Sequence, residues 1–166
     1  MISETTGLGA SDGEFCVIAA AFNEIVVRPL VEGARASFTA AGVAQERVHV
    51  TWVPGAFELP LAARTAASSG RFRAVVCLGA VIRGETAHFD YVAGEAARGI
   101  MDAGLASGVP VVFGVLTTDT MDQAMDRAGG AHGNKGWDAA QAAIRMTHAL
   151  TELRSAPGVP ARGESR

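Results

Sequence analysis

Ala74-Val75-Val76-Cys77-Leu78-Gly79-Ala80-Val81 contains no charged or strongly polar side chain. A strand with one wet face alternates apolar and polar residues. A run that is apolar on both faces fits the middle of a parallel sheet covered by helices on each side. Working outward, the same kind of run recurs at Phe15-Cys16-Val17-Ile18-Ala19-Ala20-Ala21 and at Val111-Val112-Phe113-Gly114-Val115-Leu116, with Val48-His49-Val50-Thr51-Trp52-Val53 as a partly alternating fourth. Between these runs lie stretches of helical character. Pro29 fits the first turn of one helix and Gly42 its stop. A second runs from about Phe57 to Ser68, a third from about Asp90 to Ala106, and a last from about Lys135 to Leu153. Thr120-Met121-Asp122-Gln123 reads as a capping box opening a short helix. Strands alternating with helices predict an α/β fold, a flavodoxin-like three-layer αβα sandwich with a four-stranded parallel sheet.

The outer segments differ in kind. Residues 1–13 are rich in Ser, Thr and Gly, and 155–166 mix Pro, Gly and Arg without periodicity, so both are expected to be flexible, leaving 14–154 as one domain. Gly7, Gly9 and Gly13 fail as a dinucleotide fingerprint: Asp12 stands where the third glycine belongs, and the stretch precedes the first strand. A net charge of -3 and an isoelectric point near 5.8, with cations scattered, argue against nucleic acid. No apolar run approaches the roughly 20 residues of a membrane span, and no secretory leader is evident, so a soluble cytoplasmic protein is expected. Cys16 and Cys77 sit in apolar strands and read as buried, reduced thiols.

In parallel sheets ligands bind beyond the carboxyl ends of the strands. Every unusual cluster in this chain falls there: Phe22-Asn23, Pro54-Gly55-Ala56-Phe57-Glu58, Arg83-Gly84-Glu85-Thr86-Ala87-His88 and Thr117-Thr118-Asp119. Gly84, Glu85 and Thr86 lead into a helix and offer amides and a hydroxyl to a phosphate. His88, two residues on, suits proton transfer near neutrality. By spacing alone the same segment also reads as a plain turn with a capping histidine. Arg127 and Lys135 flank a glycine-rich segment and are either solvated cations or contacts for a second anionic or carbonyl group. Asp138 can counter Lys135 or be an ordinary carboxylate of a helix start. Glu58 favours a helix start on electrostatic grounds and equally suits a polyhydroxylated chain. Phe22 and Asn23 suit a heteroaromatic ring. The remaining histidines lack metal-ligand spacing, so no metal site is expected.

These strings together resemble the lumazine synthase family from Phe15 to about Leu150. The match is carried by Phe22-Asn23-Glu24, Val53 to Pro60, Leu78 to Thr86, His88-Phe89-Asp90-Tyr91-Val92, Phe113 to Thr120, Arg127-Ala128-Gly129 and Gly133-Asn134-Lys135-Gly136. The resemblance implies condensation of 5-amino-6-(D-ribitylamino)uracil with 3,4-dihydroxy-2-butanone 4-phosphate, the penultimate step of riboflavin synthesis, without redox or metal cofactor. It implies that Phe22 stacks on the pyrimidine, with Asn23 beside it. Ala56, Phe57 and Glu58 would hold the ribityl chain, and Val81 and Ile82 would line the ring pocket. Gly84, Glu85, Thr86 and Arg127 would receive the phosphate, and His88 would move protons. Phe113, Arg127 and Lys135 would reach the site from a neighbouring subunit, with Asp138 in support.

The resemblance further implies a homopentamer. The short link from Gly130 to Gly133 is similar to members that close into a hollow icosahedral shell of about 60 subunits, and association with riboflavin synthase belongs to the same expectation. The chain departs from the family's usual pattern at Ala21, where arginine is frequent, at Ala87, where proline is frequent, and at Asp138, where glutamate is frequent. Two other readings compete. One is a non-catalytic relative that binds a flavin or lumazine or only builds a shell. The other is a generic flavodoxin-like nucleotide binder, which leaves the Gly84 to His88 spacing and the Arg127 to Lys135 segment unexplained.

Overall fold

A computed structural model describes residues 13–156. The readings of the first twelve and last ten residues as flexible segments lie outside the described residues. Strands β1 (Glu14–Ala20), β2 (Val48–Val53), β3 (Phe72–Ile82) and β4 (Val111–Thr118) form one parallel sheet in the order β2-β1-β3-β4. The expected four-stranded flavodoxin-like arrangement is therefore present, with β1 and β3 inside and β2 and β4 at the edges. Most of β2 is only partly buried or exposed, which fits its partial alternation, whereas β3 is buried through most of its length and stays apolar there.

Alternation along β1 and β3 divides the core in two. Phe15, Val17, Ala19, Val76 and Leu78 face one side with α1 (Glu24–Ala40) and α5 (Lys135–Ser155). Cys16, Ile18, Val75 and Cys77 face the other with α2 (Leu59–Ser68) and α3 (His88–Ser107). Each fully buried large aliphatic side chain contributes about 1.5–3 kcal/mol, so the sheet is held from both faces and its carboxyl ends form a rigid rim. Both cysteines are free and buried, as the sequence predicts. Burial pushes the Cys16 thiol up to about 11 and the Cys77 thiol, which also faces Cys16, up to about 12.

Three local readings are corrected. Pro29 lies inside α1, not in its first turn, because the helix starts earlier at Glu24. A left-handed Asn23 (φ 60°) lets the chain turn straight from β1 into the helix. The segment from Ala56 to Glu58 is a tight 3-10 turn, and α2 begins only at Leu59 with Pro60 in its first turn. The third helix starts at His88, two residues earlier than expected, so His88 opens α3. The predicted capping box is present: Thr120 Oγ1 accepts from the Gln123 amide at 3.1 Å, and Gln123 Oε1 accepts from Thr120 N, opening α4 (Met121–Arg127).

The glycine-rich connection after α4 is a small antiparallel hairpin of β5 (Ala128–Gly130) and β6 (Gly133–Asn134). Gly129 and Gly133 have φ of 109° and 73°, angles that side chains with a Cβ rarely adopt. Asn134 closes the hairpin and caps α5, its Oδ1 accepting from the amides of Gly136 and Trp137 at 2.9 and 3.2 Å. Its Nδ2 donates to the Pro29 carbonyl at 2.9 Å. The side chain rests against Gly33, where any Cβ would collide with it. No helix among the described residues is long and apolar enough to cross a membrane.

Candidate active site

The loops after β1, β2, β3 and β4 are tied sideways, which fixes the rim on which the site stands. The amides of Ala21 and Phe22 donate to the carbonyls of Val53 and Pro54 at 2.8 and 3.0 Å. Asn23 Nδ2 donates to the Ala80 carbonyl at 2.8 Å, linking the β1 loop to the end of β3. The Arg83 amide donates to the Thr118 carbonyl at 2.8 Å, linking β3 to β4. The position before Phe22 acts here through its backbone, so Ala21 leaves the loop tied. Ala87 has φ -68°, the angle a proline would impose, so the backbone path into His88 does not depend on a proline ring.

A cavity of about 620 Å³ opens above β1, β2 and β3. It gathers Phe22, Asn23, Ala56, Phe57, Glu58, Val81, Ile82, Gly84, Thr86 and His88, ten of the residues singled out in the sequence. Phe22 and Phe57 are 72 % and 58 % exposed and form flat apolar walls of the cavity. Such a wall suits a planar heterocycle. Glu58 ends the tight turn above β2, while Ala56 is itself buried, so this part of the wall is mostly backbone and carboxylate. At the far end Thr86 Oγ1 accepts weakly from the His88 amide at 3.4 Å, and the Asp90 amide donates to the Ala87 carbonyl at 3.0 Å, which fixes the start of α3 beside the cavity.

Pro54, Gly55, Ala80, Phe89, Tyr91 and Val92 also line the cavity and were not singled out in the sequence. Pro54 and Gly55 belong to a motif already noticed. Phe89, Tyr91 and Val92 follow His88 on α3 and stand in the sequence only as part of a matching string, without a site role. Asn23 lines the cavity and also positions the β1 loop, since its Nδ2 donates to the Ala80 carbonyl.

Glu85 does not line this cavity, and neither do Phe113, Arg127, Lys135 or Asp138. The last four come together elsewhere, along the outer edge of β4, in a groove of about 440 Å³ with Val112, Leu116, Thr118 and Ala139. Phe113 is 42 % exposed there. Lys135 Nζ donates to Asp138 Oδ2 at 2.9 Å, as their spacing predicts, and Arg127 Nη1 donates to the Gln123 carbonyl at 3.0 Å. Thus the chain carries two separate groups of candidate residues, one apolar with a histidine and one cationic. No cluster of three His, Cys, Asp or Glu side chains fit to hold a metal occurs among the described residues.

A doubly wound α/β protein with its ligand cavity at the carboxyl ends of the strands is the class that fold and cavity define. Residues 12–151 match the family described as 6,7-dimethyl-8-ribityllumazine synthase. The chain is similar to the protein of that name from Desulfatibacillum aliphaticivorans, with 48 % identity over 147 residues covering 89 % of this chain and 95 % of the relative. It is 53 % identical over 146 residues to the protein of the same name from Gemmatimonas aurantiaca, covering 87 % of this chain and 89 % of the relative. The chain belongs to the 6,7-dimethyl-8-ribityllumazine synthase family.

Proposed function

We propose that the protein is a transferase that condenses 5-amino-6-(D-ribitylamino)uracil with 3,4-dihydroxy-2-butanone 4-phosphate, giving 6,7-dimethyl-8-ribityllumazine, phosphate and water. The observation that carries this reading is the single cavity joining two exposed phenylalanine walls to a helix start bearing His88. The pyrimidine amine attacks the ketone, water leaves to give an imine, phosphate departs, and ring closure releases the second water. Phe22, Val81 and Ile82 hold the ring beside Asn23, while Ala56, Phe57 and Glu58 hold the ribityl chain. Gly84, Glu85, Thr86 and Arg127 receive the phosphate, and His88 relays protons. Orientation and charge stabilisation are the main catalytic terms, since no covalent enzyme intermediate is needed.

The separation of the β4 groove from the cavity supports a site shared between subunits, in which Phe113, Arg127 and Lys135 of one copy complete the cavity of the next, with Asp138 holding Lys135. The assembly is then a homopentamer, extended to an icosahedral shell of pentamers. It works in the cytoplasm and associates with riboflavin synthase. The test mixes purified protein with both substrates and follows lumazine absorbance above the spontaneous background, with sedimentation on the same sample. Acceleration by a pentamer or larger particle is expected. No acceleration overturns the enzyme reading, and an active monomer overturns the shared site.

A further inference from the structure

Arg83 follows β3 directly and precedes the Gly84 to Thr86 loop. Its guanidinium reaches three groups. Nε donates to Asp119 Oδ1 at 3.1 Å, Nη1 donates to Asp90 Oδ1 at 3.4 Å, and Cζ lies 4.3 Å from the centre of the Phe89 ring. Asp119 stands in the loop after β4, whereas Phe89 and Asp90 are the two residues after His88 in the first turn of α3. One planar cation therefore joins the β4 loop to the helix turn that presents His88.

We propose that Arg83 is a positioning residue for the reaction, acting through the first turn of α3 to set the place of His88 and the phosphate loop. Each exposed ion pair alone is weak. Here two carboxylates bind different nitrogens of a rigid fork while a ring packs on its face, so the three contacts restrict one another's rotation. A lysine supplies the charge but not the fork. Arg83 also neutralises Asp90 and Asp119, two carboxylates beside a loop that must accept an anion. The pyrimidine end of the cavity is built by the loops after β1 and β2 and by Val81 and Ile82, which are held within β3 by its pairing with β4 and not by the Arg83 side chain.

This inference rests on the proposed condensation, so its test has one arm that needs turnover and one that does not. In steady-state assays, Arg83→Met is expected to raise KM for the sugar phosphate about tenfold and lower kcat about tenfold, with affinity for the ribitylaminopyrimidine within about twofold of the parent. Arg83→Lys recovers part of KM but not kcat. Asp119→Asn gives a smaller defect alone and adds nothing to Arg83→Met. Unchanged kinetics, full recovery by lysine, or a parallel loss of pyrimidine affinity overturns the proposal. The second arm is amide hydrogen exchange. Exchange at residues 86–90 is expected to speed up about tenfold in Arg83→Met while α1 is unaffected. Unchanged exchange overturns the role of Arg83 even in a protein that does not condense the substrates, an outcome that would separately remove the enzyme reading.

Discussion

The cavity above β1 to β3 and the groove along β4 use the same sheet in opposite ways. The cavity stands where strands covered on both faces end, and its loops are tied by backbone hydrogen bonds and by Asn23. The groove lies on an unpaired strand edge, and its cations are held by contacts within their own helices, Arg127 to Gln123 and Lys135 to Asp138. Buried interior can build a shaped apolar recess, but charge is most easily kept where solvent reaches it. In the proposed shared site, this division lets one chain present both without desolvating its cations before an anion arrives.

The sharpest way to break this comparison is to disable each region separately. Arg127→Ala removes the cation proposed to receive the phosphate and is expected to cost about 100 to 1,000-fold in turnover. His88→Ala costs about 100-fold, the low end for a proton-transfer residue. Co-refolding equal amounts of the two variants should restore about a quarter of parental activity if each site joins two copies, because random pairing around a closed ring gives intact combinations at that frequency. Recovery of nothing, measured by lumazine formation, would mean that both groups serve the same chain.

A smaller effect is expected at the seam between the regions. A Cβ at Gly114 would approach Leu78 Cδ2 to 2.6 Å and the Cys77 carbonyl to 2.8 Å. Gly114→Ala must push β4 from β3 and should cost about 1–3 kcal/mol in denaturant unfolding, with pyrimidine affinity at the cavity retained. Within the cavity rim, Asn23→Ala loses a hydrogen bond and strains a left-handed position, for about 1–2 kcal/mol. Asn23→Gly keeps the angle and should lose only about 1 kcal/mol. Equal losses in the two variants would deny any role to the angle.

The smallest effect concerns the thiols under the cavity. Their folded values, about 11 for Cys16 and about 12 for Cys77, lie above the unfolded value. Their contribution is therefore complete below about pH 8.5, the unfolded thiol value, and fades as pH rises toward 11 and 12. Alkylation at pH 8 should be negligible in the folded protein and complete in denaturant. Rapid labelling of either would show that the face beneath α2 and α3 opens.

Much of the fold is legible because burial writes itself into composition. β3 is apolar on both faces, and Thr120 with Gln123 states its cap locally. Pro29 misleads because the earlier helix start depends on Asn23 reaching Ala80, a partner 57 residues away. The hairpin from Ala128 to Asn134 is hidden for a different reason, since a short strand pair with two glycines at positive φ gives no periodicity. In the site, motif positions after the strands locate the cavity residues well. What the chain order does not reveal is that Glu85, in the loop between β3 and α3, lies outside the cavity, and that Arg127 and Lys135 belong to another edge, which depends on the path of α4 and α5.

Asn134 has a consequence for how the family can vary. It caps one helix, binds the carbonyl of Pro29 in another, and fills the space that Gly33 leaves open. A side chain gained at Gly33 has nowhere to go while Asn134 stays. A smaller residue at 134 abandons both the cap and the carbonyl. The two positions are thus one hereditary unit, 101 residues apart in the chain (134 minus 33), and are expected to covary among descendants, so that change at either is viable only when the other changes with it.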